Sequence, residues 1–78
     1  MIDITKLNED DIGKFVVYEL IKNKLNIGRI KSWNDEFIFV VYHCDGDWAN
    51  YKDYTGCSTN PDDLSFVRDF MIGNHYQK

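Results

Sequence analysis

The chain has two cysteines, one proline and five glycines in 78 residues. No segment approaches the run of about 20 apolar residues that a membrane helix needs. Cys44 and Cys57 are too few for a disulfide framework. Residues 1–5 lack the basic and apolar regions of a secretory leader, so free thiols in a cytoplasmic setting are expected. His43, Cys44, Cys57 and His75 contain no paired hook of the kind that structural zinc sites use, so both cysteines are expected as small packed residues. Cys57 and His43 lack the flanking sequence of a nucleophile pair. Asp45-Gly46-Asp47 lacks the remaining oxygen ligands of a calcium loop. Asp62-Asp63 follow Pro61, where acids favour a helix start and no catalytic dyad is required. Gly13, Gly28 and Gly46 are isolated turn or bulge glycines and form no phosphate loop. Neither a metal nor a cofactor is expected, and an enzyme would require a concave polar pocket around His43.

Basic charge is also scarce. Nine Lys and Arg face thirteen Asp and Glu, giving a net charge of -4. The basic residues are scattered, with Arg29 and Lys31 alternating on one strand face. Direct nucleic-acid binding needs clustered cations to neutralise phosphates, and this distribution argues against it. The acids gather at Glu9-Asp10-Asp11, Asp35-Glu36 and Asp62-Asp63, all read as turns.

What the chain does have is aromatic surface. Five Tyr, five Phe and two Trp make up 15% of it. Rings supply large buried areas per residue, which helps a short chain close a core. Residues 14–19 are rich in β-branched and aromatic side chains and predict a first strand. Residues 20–26 read either as a loop with apolar anchors or as a strand extension with a hairpin around Asn23-Lys24. A second strand follows over 27–33, with partial alternation of apolar and polar residues. Asn34-Asp35-Glu36 is turn chemistry, and residues 37–42 form the strongest strand, completing a hairpin. Period two places Ile38, Val40 and Tyr42 on one face and Phe37, Phe39 and Val41 on the other. Both faces are apolar, so the second needs a cover or a partner.

The best candidate for that cover is the segment that follows. After the Asp45-Gly46 turn, rings recur at Trp48, Tyr51 and Tyr54. A spacing of three aligns them on one face of a short helical turn or along a ring-pinned loop. A short strand is expected near 56–59, then a single helical turn at Pro61 capped by Thr59 or Asn60. Residues 64–67 read as the closing strand. Phe70, Met71 and Ile72 are candidates for a last docked element, and residues 75–78 for a frayed end.

The expected fold is therefore all-β, with about five short strands and one helical turn before the last. Asp11-Ile12-Gly13 entering a strand that ends in Val17-Tyr18, Ile27-Gly28-Arg29-Ile30, residues 38–42, and Thr59-Asn60-Pro61-Asp62-Asp63-Leu64 resemble the Tudor- and KOW-like members of the small SH3-like barrels. The pattern is also similar to small uncharacterised bacteriophage and prophage proteins. The resemblance spans residues 11–67, between a lead-in at 1–10 and a tail at 68–78. It implies a binding module: Tudor-like relatives hold methylated cations in aromatic cages, and KOW-like relatives contact RNA or RNA polymerase. The acidity of this chain departs from the KOW pattern.

The expected function is a non-enzymatic module of phage type that binds a protein partner. The candidate contact residues are Trp48, Tyr51 and Tyr54, joined by Trp33 and Phe39, as rings dominate interface energetics. The same rings also suit a mini-core over the outer face of the third strand. Two alternatives are an acidic inhibitor of a host nucleic-acid enzyme, which needs its acids on one face, and a self-assembling homodimer through Phe37, Phe39 and Val41.

Overall fold

The computed structural model describes residues 1–21 and 24–67. The hairpin turn around Asn23 and the readings of residues 68–78 lie outside the described residues. Among the described residues, five strands form one antiparallel sheet: β1 (Phe15–Ile21), β2 (Lys24–Trp33), β3 (Ile38–Val41), β4 (Cys57–Thr59) and β5 (Leu64–Phe66). Their order in the sheet is β4-β3-β2-β1-β5. The strand-extension reading of residues 20–26 holds, since β1 reaches Ile21 and β2 starts at Lys24. The β2–β3 turn is closed by Asn34, whose side-chain oxygen accepts from the backbone N–H groups of Glu36 and Phe37, each at 2.8 Å.

Among the described residues, four 3-10 segments connect and flank the strands: η1 (Ile4–Lys6), η2 (Glu9–Asp11), η3 (Trp48–Asp53) and η4 (Pro61–Asp63). η4 sits directly before β5, with Pro61 in its first turn. Asn60 rather than Thr59 is its cap, accepting from the Asp62 N–H at 2.9 Å.

The inner face of the sheet wraps one aliphatic cluster of Ile2, Val16, Ile30, Ile38, Val40 and Leu64. Ile38 and Leu64 stand three strands apart in the sheet yet share this core, so the sheet curls around it. Two local devices permit the curl. Lys31 is an extra residue in β2, where the β2–β3 register shifts between Ile30 and Ser32. That bulge turns both Ile30 and Trp33 toward the core, which explains the incomplete alternation of this strand. Gly28 is the second device: a Cβ there would stand 2.5 Å from the Val41 carbonyl oxygen and 2.6 Å from Val40 Cγ1. Only glycine lets the β2 and β3 backbones approach this closely.

The lead-in joins the body. Ile2 is buried in the core and its N–H donates to the Pro61 carbonyl at 2.9 Å. On the outer face a second, smaller cluster forms from Val41, Cys44 and Tyr51, with Trp48 and Tyr54 packed against it. Both faces of β3 are thus covered in part, while Phe37 remains exposed beside the turn.

Candidate functional site

The outer face is organised by η3. Asp45 and Gly46 both adopt positive φ, at 53° and 81°, and reverse the chain after β3. η3 is two short 3-10 turns that meet at a kink at Asn50, and Tyr54 follows as the extended C-cap residue; Trp48, Tyr51 and Tyr54 nevertheless fall on one side. That side is turned down onto Val41 and Cys44. Tyr51 is buried, whereas Trp48 and Tyr54 are half-buried. Trp48 also meets Phe15 of β1 edge to face, with ring centroids 5.7 Å apart.

Two cations of β2 hold this segment at its two ends. Arg29 Nη1 donates to the Trp48 carbonyl at 2.9 Å, and its Nε donates to the Gly13 carbonyl at 2.7 Å. Lys31 Nζ donates to the Tyr54 carbonyl at 2.8 Å. Tyr54 follows the last turn of η3, where carbonyls have no helical partner, and a charged donor satisfies such a group strongly. Partial burial, with the carboxylates of Asp47 and Asp45 nearby, holds the Tyr54 hydroxyl above its ordinary pKa.

The five rings singled out from the sequence do not form one surface. Trp48, Tyr51 and Tyr54 come together, but as a packed mini-core with Tyr51 inside it. Phe39, half-buried on the same face, lies against Gly56, where a Cβ would stand 3.1 Å from the Phe39 Cβ. Trp33 packs on the opposite face against the aliphatic core.

Three apolar residues outside that set are exposed on the outer face. Phe15 is 42% exposed, Leu25 43% and Ile27 51%. Pairing places them together: Phe15 is opposite Arg29, Val17 opposite Ile27 and Glu19 opposite Leu25, all on the outer face. Alternation along residues 25, 27 and 29 was a readable signal for this row, but nothing local told which face lacked a cover.

A second concave region lies at the end of the core face. A groove of about 350 Å³ is lined by Tyr18, Tyr42, His43, Cys57, Thr59 and Asp63, among others. Thr59 Oγ1 donates to the Cys57 carbonyl at 3.2 Å, which leaves the Tyr42 hydroxyl as donor to Thr59 at 2.9 Å. Burial raises the Tyr42 pKa, against the lowering effect of Thr59. Cys57 is exposed here, contrary to the expectation of a packed thiol; Cys44 is the packed one. The difference follows from position, since β4 is an edge strand and Cys44 lies beneath η3. His43 and Cys57 line one groove with no hydrogen bond between them. Among the described residues, no three His, Cys, Asp or Glu side chains are grouped to hold a metal ion. No helix among them is long and apolar enough to cross a membrane.

No protein-family profile matches the chain. No solved structure matches it either. Among curated proteins, Sensory neuron membrane protein 1 of Aedes aegypti is 44% identical over 43 residues. That stretch is 55% of this chain and 8% of the mosquito protein. The chain therefore spans less than a tenth of that relative's length, and the likeness is one between short segments.

Proposed function

We propose that the chain is a non-enzymatic protein-binding module with an SH3-like barrel plan, which engages its partner through the outer face of β1 and β2. The observation that carries this reading is the row of Phe15, Ile27 and Leu25, three large apolar side chains left open on one face of the sheet. A contiguous apolar patch of this kind on a small protein commonly marks an interaction surface. Trp48 borders the row through its contact with Phe15 and extends it toward η3. The five short strands with η4 before the last favour the SH3-like plan. The phage-type role rests on the resemblance of the sequence, and a cytoplasmic location on the free Cys44 and Cys57 thiols.

The test is capture of a partner from host lysate by the wild type and by a Leu25→Glu, Ile27→Glu double variant, after circular dichroism shows that both fold. A protein retained by the wild type and lost by the double variant supports the reading. Equal retention by both overturns it. The same row also favours a second reading, a symmetric homodimer built on this face. Sedimentation separates the two: a wild-type mass that doubles with concentration, abolished in the double variant, assigns the face to a second copy.

A further inference from the structure

Arg29 stands in the middle of the outer face, opposite Phe15 on one side and Val41 on the other. Its guanidinium lies 4.9 Å from the Phe15 ring centroid and 4.4 Å from that of Tyr51. Two edges of the same group donate to backbone carbonyls, those of Gly13 and Trp48. No carboxylate among the described residues reaches it within ion-pair distance; the ion pair found there joins Lys14 to Asp11.

The space around it is shaped as well as polar. Gly13 has φ +92°, and a Cβ at that position would stand 3.2 Å from Arg29 Nη2 and 2.9 Å from the Tyr51 hydroxyl oxygen. The wall is therefore bare backbone at the point where the guanidinium comes closest. The walls come from the turn before β1, from β1 and from η3, so no single element makes the slot. Two ring faces and two separated carbonyl acceptors suit a planar, weakly hydrated cation with several fixed donors. They suit a compact, strongly hydrated ammonium poorly.

We infer that the slot between Phe15, Tyr51 and the Gly13 and Trp48 carbonyls is a guanidinium-binding site, filled from within the chain by Arg29. Removing that side chain leaves a site that takes alkylguanidinium cations from solution. The occupant ties Trp48 to the turn at Gly13, so it also sets where η3 rests on the sheet. The inference is independent of the protein-binding reading, because it concerns the chain's own residue and needs no partner.

The experiment is thermal melting of Arg29→Ala in ethylguanidinium chloride, with ethylammonium chloride and sodium chloride at equal concentration as controls. The variant is expected to melt below the wild type. About 10 mM ethylguanidinium is expected to raise its Tm saturably, by about 3 °C. Ethylammonium is expected to give no such rise, and neither salt is expected to raise the wild-type Tm. A variant that responds alike to ethylguanidinium and ethylammonium overturns the proposal. If Arg29→Ala is unfolded without additive, recovery of its circular dichroism signal by ethylguanidinium alone is the supporting result. Arg29→Gln, which keeps a short polar side chain but empties the space between the rings, is then melted in the same way. In the wild type, the Arg29 Nε–H, bonded to the Gly13 carbonyl, is expected to exchange with water much more slowly than that of free arginine. Exchange at the free-arginine rate overturns the proposal by a route that needs no variant.

Discussion

The two faces of this sheet are held by different physics. The inner face buries aliphatic side chains from β1, β2, β3, β5 and the lead-in, and Val16, Ile30, Ile38, Val40 and Leu64 are fully buried. Its stability is non-directional and follows the apolar area removed from water. The outer face has a three-residue cluster and depends on directed contacts: two cations of β2, three backbone carbonyls and two rings around a guanidinium. A large buried cluster tolerates the loss of any one hydrogen bond, whereas a clamp depends on each of its donors. The described residues thus close one face by burial and fasten a single turn to the other, where Phe15, Leu25 and Ile27 stay exposed.

The contrast is sharpest under a charge placed inside. Val40 is fully buried on the inner face, opposite Ile30. Val40→Asp is expected to unfold the chain, because an unpaired buried carboxylate costs several kcal/mol. A cooperative melt near the wild type would show that the inner face is not the main source of stability. Tyr51→Ala addresses the outer face, removing the buried ring of the smaller cluster and one side of the guanidinium slot. The expected loss is about 3 kcal/mol, with Tyr51→Phe costing about 1 kcal/mol or less because the ring remains. Equal Tm values for Tyr51→Ala and the wild type would mean that η3 contributes nothing to the fold.

The smallest expected effect is one of pH. Asp11 is held below the ordinary carboxylate pKa, first by its bond from Lys14 and then by the Asn8 N–H. Asp3 is lowered by the Thr5 hydroxyl and then by the Thr5 backbone N–H. A folded pKa below the unfolded one gives stability that is present above the unfolded value and lost as pH falls through the folded value. Acid below about pH 4 is therefore expected to loosen η1 and η2. The outer clamp should persist, since Arg29 and Lys31 bind carbonyls that do not titrate. Amide exchange across an acid series would read this order, and simultaneous loss of both regions would contradict it. Asp11→Asn is expected to flatten the acid limb of the Tm profile slightly.

Much of the architecture was legible from local patterns. The Asn34 turn, the Asp45-Gly46 reversal and the Pro61 turn depend on residues within a few positions of one another, and each formed as its chemistry required. The spacing of three among Trp48, Tyr51 and Tyr54 left a short helical turn or a ring-pinned loop open, and 3-10 turns formed. The candidate surface was much less legible. Rings are equally suited to cores and interfaces, so Trp33, Tyr51 and Phe39 looked as available as Trp48. Leu25 sat in a stretch read as either loop or strand, and Ile27 in one read for its strand character alone. Arg29 and Lys31 read as scattered surface charge, yet both are structural donors because η3 folds across the face they occupy.

The sequence by itself determined the strands, their turns and the existence of two apolar faces, because these follow from side-chain alternation and short-range backbone chemistry. Only the tertiary structure decided which face became the core, which rings were spent inside it and which cations were drawn onto carbonyls. Those outcomes depend on where η3 and the lead-in come to rest, and contacts between residues far apart in the chain are not encoded in any local period.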